Sequence, residues 1–187
     1  MFNKKIIAAA IAVSGLFITA SASAQYYAGA TVGQARWNGD CSGTTSCKTT
    51  DTAFKVLGGY NIDNTNWGVE ASYFNLGKVT VSDGALKGEI KGSGVDLSGV
   101  YRASFNNQWG GFAKLGIAYV KGEVEASLGS AHASQSTNST QAVVGAGVTY
   151  AFDKNISVRA EVESRKVEVP NSSGNVTNFN IGLQFAF

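Results

Sequence analysis

Asn178-Phe179-Asn180-Ile181-Gly182-Leu183-Gln184-Phe185-Ala186-Phe187 alternates without a break. Phe179, Ile181, Leu183, Phe185 and Phe187 are large and apolar, and Asn180, Gly182, Gln184 and Ala186 between them are small or polar. A period of two marks a strand with one greasy face and one wet face. A soluble sheet can produce the same pattern. A strand of this kind that ends on an aromatic residue raises the expectation of the closing strand of a barrel, and the preceding residues test it.

Working back from that strand, the same alternation recurs. It runs over Tyr26 to Trp37, Thr52 to Tyr60, Trp67 to Gly77, Gly94 to Phe105, Trp109 to Lys121, Gln141 to Phe152 and Ile156 to Lys166. With the last run this predicts eight strands, each long enough to cross a bilayer at a tilt of roughly 45°. The connections alternate strictly between long and short. Residues 38–51, 78–93, 122–140 and 167–174 read as long polar loops, with strand extensions as an alternative within 78–93, while 61–66, 106–108 and 153–155 read as tight turns. Long loops on one side and short turns on the other are the habit of bacterial outer-membrane barrels.

Charge placement decides which face meets lipid. Lys55, Glu70, Asp96, Arg102, Lys114, Arg159, Glu161 and Glu163 share one parity of their strands, and the other parity is free of charge through the strand centres. A charge facing lipid at mid-depth costs about 2–4 kcal/mol. The charged parity therefore lines the lumen. A soluble barrel of eight strands would have to bury those charges in a core with room only for packed side chains or one small ligand. Aromatic residues fall at both strand ends: Tyr60, Trp67, Phe105, Trp109, Tyr150, Phe152, Phe185 and Phe187 at the short-turn end, and Trp37, Tyr73 and Tyr119 at the other. Two interfacial girdles are expected from them.

The start of the chain reads as a secretory signal peptide. A basic Lys4-Lys5 leads into the apolar run Ile6 to Ala20, and Ala22-Ser23-Ala24 supplies a small-x-small cleavage pattern. This divides the chain into a signal peptide, 1–24, and one barrel domain, 25–187. The formal net charge of +2 comes from the two leader lysines, so the remainder is neutral, with no basic stripe to suit a nucleic acid. The single proline, Pro170, lies outside the alternating runs, and the 23 glycines fall largely inside them, as a tightly curved sheet requires.

Several stretches carry a resemblance to a known family. Tyr26-Tyr27-Ala28-Gly29-Ala30-Thr31-Val32-Gly33, Gly58-Gly59-Tyr60, Gly68-Val69-Glu70 with Tyr73 and Leu76-Gly77, Gly94-Val95-Asp96-Leu97, Lys114-Leu115-Gly116, Gly145 to Ala151 and Arg159-Ala160-Glu161 occur in the order and spacing of the transmembrane domain of the outer membrane protein A (OmpA) family. The chain also resembles its small relatives, the OmpX/Ail-like and opacity-type surface proteins. The resemblance implies an all-β, eight-stranded antiparallel up-and-down transmembrane barrel in the Gram-negative outer membrane, exported by the general secretory pathway and monomeric. It also implies that Phe179, Ile181, Leu183, Phe185 and Phe187 form the strand presented to the barrel-assembly machinery. No counterpart of the family's periplasmic wall-binding domain is matched, so wall anchoring is not expected.

On the family's pattern, Glu70 and Arg159 fall where a lumenal ion pair acts as a gate, and Lys114 at another basic lumen position. Lys55, Asp96, Arg102 and Glu161 complete the expected lumen network. Two readings stand: exchange of partners that opens a narrow water path, and a static network that fills and stabilises the lumen. Val100 and Thr149 occupy lumen positions where the family often carries charge. Cys41 and Cys47 lie in the first loop, where an oxidising compartment makes a disulfide the default, with free thiols as the alternative. A metal site would need further Cys or His beside them, so neither metal nor cofactor is expected. His132 and Ser134 echo a His-x-Ser pair of an outer-membrane lipid A deacylase, but no acidic partner follows to orient the histidine. Enzyme activity is therefore not expected. The loops are expected to act at the surface, in adhesion or host contact, or against outer-membrane lipid and lipopolysaccharide, or else as passive cover. A narrow gated pore is the alternative function.

Overall fold

The computed structural model describes residues 25–38, 46–83, 86–128, 131–169 and 172–187. Residues 1–24, the expected signal peptide, and Cys41 lie outside them. Among the described residues nine strands form one sheet: β1 (Tyr26–Trp37), β2 (Ser46–Lys48), β3 (Thr50–Asn61), β4 (Trp67–Asp83), β5 (Leu86–Ser104), β6 (Trp109–Leu128), β7 (Ala131–Ala151), β8 (Ile156–Val169) and β9 (Ser172–Ala186). The eight long strands pair antiparallel with their neighbours, and the β4–β5 and β1–β9 pairings close them into a barrel. In the closing pair Tyr27 lies opposite Ala186 and Trp37 opposite Val176. Closure is the physical requirement here, since an open edge in lipid leaves backbone N–H and C=O groups unsatisfied.

The alternation maps onto the two faces as the charge parity requires. On β9, Phe179 is 58% exposed and Ile181 57%, whereas Asn178 and Asn180, each preceding one of them, are 1% and 5% exposed. The outer wall elsewhere carries Val32, Val56, Val69, Leu97, Leu115, Ile117 and Val144. This is the reverse of a soluble barrel, and it is stable only where hydrocarbon replaces water outside.

Short turns at one end are locked by their own side chains. Asn106 Oδ1 accepts from the backbone N–H of Gln108 (2.8 Å) and Trp109 (2.7 Å), and Asp153 Oδ1 accepts from those of Asn155 (2.7 Å) and Ile156 (2.8 Å). Such Asx turns let two strands reverse within a few residues. Beside the turns the aromatic pairs Trp67–Tyr101 and Trp109–Tyr150 lie with ring centroids 5.0 Å apart, a girdle at the short-turn interface.

Two expectations are corrected. Over their described residues the segments 122–140 and 167–174 are strand rather than loop, and in 78–93 the strand extensions hold: β4 continues to Asp83, β5 begins at Leu86, β6 and β7 pair as far as Leu128 and Ala131, and β8 and β9 as far as Val169 and Ser172. Within 38–51, Ser46–Lys48 forms β2 against β4. Once the strands leave the membrane both faces are wet, so the apolar-polar period disappears while the hydrogen-bond ladder continues; the Val and Thr of these segments still favour extended backbone. Trp37 is the second correction. It is 8% exposed and points inward, its indole N–H donating to the Leu76 carbonyl at 3.4 Å, so it belongs to the barrel interior and not to a girdle. Its parity is that of Thr31 and Ala35, both buried, and parity outweighs residue type.

Gly77 is the one glycine with positive φ (66°) among the described residues, at the register shift between Asn75 and Lys78 on β4. There Leu76 and Gly77 on β4 face Gly92 alone on β5, a bulge of the kind that sharpens a strand's twist. Elsewhere inward rings need missing side chains: a Cβ on Gly59 would fall within the Tyr27 ring, and one on Gly147 within the Phe112 ring.

Candidate functional site: the lumen and its rim

Four cations, Lys55, Lys114, Arg159 and Arg165, and four anions, Glu70, Asp96, Glu161 and Glu163, are buried inside the barrel. β3, β4, β5, β6 and β8 each project at least one of them because their inward parity carries charge. Glu70 is the hub nearest the short-turn end. It accepts from Arg159 through both oxygens, Nη1 to Oε2 at 2.6 Å and Nη2 to Oε1 at 3.0 Å, from Lys114 Nζ at 3.1 Å and from the Tyr27 hydroxyl at 3.1 Å. Arg159 also reaches Glu161 at 2.8 Å. Its guanidinium lies 4.1 Å from the Phe112 ring centroid.

Glu163 is the second hub. Lys114 and Lys55 both ion-pair with it, Lys55 at 2.8 Å, and Arg165 Nη2 reaches its other oxygen at 2.7 Å. Asn178 Nδ2 donates to it at 3.0 Å. Lys55 also pairs with Glu161. Asp96 accepts from Ser72 Oγ at 2.8 Å and faces Arg165 at 3.5 Å. Every cation thus has an anion and most anions have two cations, the arrangement that offsets the desolvation of buried charge.

The structure therefore brings Glu70, Arg159, Lys114, Glu161, Asp96 and Lys55 into one layer. Glu70 engages Arg159 and Lys114 together rather than one of them. Arg102 stands apart, nearer the short turns, with its guanidinium 4.6 Å from the Tyr27 ring centroid. Arg165 and Glu163 were legible as lumen residues from their parity on β8, but Arg165 and the neutral members Tyr27, Ser72 and Asn178 did not stand out as parts of a network.

Toward the extracellular end the chemistry changes. Ala35, Trp37, Phe74, Leu76, Val120, Val143, Val167 and Val176 form one buried apolar cluster inside the barrel. The boundary is sharp on β8, where inward residues run Arg159, Glu161, Glu163, Arg165, Val167, and the Arg165 guanidinium stacks 3.8 Å from the Phe74 ring centroid. An apolar plug thus sits above the ionic layer.

Beyond the membrane, β4, β5 and β6 carry a lattice of ion pairs: Lys78–Glu89 at 2.9 Å, Lys91–Glu125 at 2.7 Å and Lys121–Glu123 at 2.5 Å. The hydrogen bond from Lys78 holds the Glu89 carboxyl below the ordinary glutamate range, and that from Lys121 does the same for Glu123. The Glu125 carboxylate raises Lys91. Exposed pairs of this kind contribute little to stability. The Cys47 backbone lies opposite Val81, but its side chain and Cys41 lie outside the described residues, as does the side chain of His132. Ser134 is exposed on the β7 extension.

Closed antiparallel strands, a greasy outer wall, a charged lumen and an aromatic girdle at the turns together define an integral outer-membrane β-barrel. The chain belongs to the outer membrane protein beta-barrel domain family, whose model matches residues 7–187. Among solved structures it is similar to Ail, the attachment invasion locus protein of Yersinia pestis (19% identity, TM-score 0.56, 87% of this chain and 99% of that one). It is also similar to Neisserial surface protein A (15% identity, TM-score 0.61, 88% and 98%). A third similar structure is the N-terminal β-barrel domain of Pseudomonas aeruginosa OprF (15% identity, TM-score 0.53, 87% and 98%). At these identities the likeness is one of fold. A search of curated proteins finds no significant match.

Proposed function

We propose that the protein acts at the cell surface, binding host or neighbouring-cell molecules through the strands that project beyond the membrane. The observation that carries this is the free edge of β7. β7 pairs with β6 from Ala131 to Tyr150, but with β8 only from Val143 onward. Residues 131–142 therefore offer one row of backbone donors and acceptors without a neighbouring strand among the described residues. This stretch, Ala-His-Ala-Ser-Gln-Ser-Thr-Asn-Ser-Thr-Gln-Ala, has no charge, proline or glycine. Exposed edges are usually blunted by such residues, and an unguarded edge is a template for an incoming strand. Ail, which shares the fold, is described as an attachment invasion locus protein and has been solved with the heparin analogue sucrose octasulfate. That likeness supports a surface role without naming a ligand for this chain.

The test is adherence of a non-adherent host bacterium displaying the protein. Shortening the β6–β7 ribbon by removing residues 124–135 should abolish binding while the barrel still shows its heat-modifiable shift on a gel. Full binding by a folded, shortened barrel would sink the proposal. A Cys41–Cys47 disulfide within the segment between β1 and β3 belongs to this reading, and two titratable thiols in unreduced, denatured protein would remove it. So does cleavage after Ala24, checked by sequencing the N-terminus of the outer-membrane form.

The narrow pore is the second reading. It rests on Lys114, which contacts Glu70 at 3.1 Å and also pairs with Glu163, so a partner exchange needs little movement. Water would still have to pass the apolar plug. Planar-bilayer recordings that show no current for the wild type and none for Glu70→Ala would close this reading.

A further inference from the structure

The outer wall holds a concavity that the surface role does not use. It is a groove of about 710 Å³, within the range of ~300–1,000 Å³ typical of small-molecule sites. Its walls include Val56, Tyr73, Leu97, Ile117 and Tyr119, all on the lipid-facing parity, and Gly58 and Ala71, with little or no side chain, leave room between them.

The register gives the groove a direction. Val56, Tyr73, Val95, Tyr119 and Thr140 lie opposite one another in turn across β3 to β7. Because the strands tilt, this row climbs the barrel. With about 3.3 Å rise per residue and a tilt of roughly 45°, Val56 lies roughly 9 Å above Tyr60 at the turn interface, and Tyr119 roughly 23 Å above Trp109. The groove thus runs from the bilayer midplane to the extracellular interface, the path of a single hydrocarbon chain of the outer leaflet. At its upper mouth the next outward row is Asn75, Ser93, Lys121 and Asn138, in register across the same strands. Lys121 is half exposed, and its one carboxylate partner among the described residues, Glu123, lies two residues along its own strand.

We infer that this groove is a built site for one acyl chain of an outer-leaflet phosphoglycolipid, with Lys121 and the two asparagines taking its phosphorylated headgroup. Three features converge on that occupant. The groove faces hydrocarbon along its length, so its occupant is a lipid tail. The groove opens upward, so the lipid is one of the outer leaflet. The mouth presents two amide side chains and the Lys121 ammonium, which would exchange its Glu123 partner for a phosphate, so the headgroup it suits is anionic.

Native mass spectrometry of the full chain, folded and extracted in mild detergent, tests the site. The probes are lipid A, the same lipid with its phosphates removed, and phosphatidylethanolamine. The wild type should retain one lipid A per barrel and hold the other two more weakly. Gly58→Phe and Ala71→Trp each fill the groove. A Cβ on Gly58 meets only the Tyr27 carbonyl oxygen, at 3.9 Å, so that variant adds bulk without strain. Both should lower lipid A retention about tenfold, the equivalent of ~1.4 kcal/mol, while Ala160→Trp on the far wall leaves it unchanged. Lys121→Glu should lower retention of lipid A and leave the dephosphorylated lipid unaffected. Retention by folded Gly58→Phe equal to that by Ala160→Trp would overturn the groove. Equal retention of lipid A and its dephosphorylated form by the wild type would overturn the headgroup site.

Discussion

The two halves of the lumen are filled in opposite ways. The half near the short turns holds Lys55, Glu70, Lys114, Arg159, Glu161 and Glu163 in a connected lattice. The half beneath the extracellular sheet holds Trp37, Phe74, Leu76, Val120, Val143, Val167 and Val176, with no charge among them. Both are buried equally well, yet they resist perturbation for different reasons. In the ionic half each charge has been taken out of water and depends on its partners, so losing one member strands the others. In the apolar half each side chain contributes its own burial and contacts, so a loss is local and leaves a cavity.

The comparison can be broken by single substitutions. The largest effect is expected for Glu163→Ala, which removes the anion shared by Lys55, Lys114 and Arg165. Urea unfolding of the barrel in lipid vesicles should show a loss of about 3–5 kcal/mol, and a loss below about 1 kcal/mol would mean that the ionic layer is not structural. Next comes Leu76→Ala in the plug. It should cost about 2–4 kcal/mol in the same assay, with the effects of neighbouring Glu163 partners unchanged.

The paired change Asp96→Leu with Arg165→Met sharpens the contrast. It converts the border of the ionic layer into an extension of the plug, while Glu163 keeps Lys55 and Lys114. Unfolding should stay within about 1 kcal/mol of wild type, whereas Asp96→Leu alone should be clearly worse. A double variant no better than the single would show that the two halves are not interchangeable.

Charges outside the membrane should matter least. The backbone N–H of Lys78 donates to Asp51 at 2.9 Å and holds that carboxyl below the ordinary aspartate range. A carboxylate lowered in the folded state contributes fully above its unfolded value and loses that contribution as pH falls through the folded one. The Lys78 amide resonance should therefore hold steady through neutral pH and move only below about pH 4, and Asp51→Asn should abolish the movement. Deleting Phe187 acts on assembly instead. Outer-membrane levels should fall while barrels that do fold keep near-normal stability, and unchanged levels would argue against a role in recognition by the assembly machinery.

The membrane half of the fold was legible because lipid and lumen impose opposite demands on alternate residues. Phe179 to Phe185 showed which face was greasy, and Lys55, Glu70, Arg159 and Glu161 showed which was not. The extracellular half was not legible, because strands wet on both faces lose the period that betrays them. Residues 122–140 therefore read as a loop although β6 and β7 pair across them. The lumen residues could be named one by one, but not who holds whom.

The sequence by itself determined the strand count in the membrane, the inward and outward faces and the charge of the lumen, because each follows from a local period of two and the cost of charge in hydrocarbon. Only the tertiary structure decided that Glu70 and Glu163 are the two hubs, that Trp37 turns inward into the apolar plug, and that β7 rises past β8 with a free edge among the described residues. Those depend on shear and register, which set the heights at which residues of distant strands meet across the barrel, and no single strand encodes them.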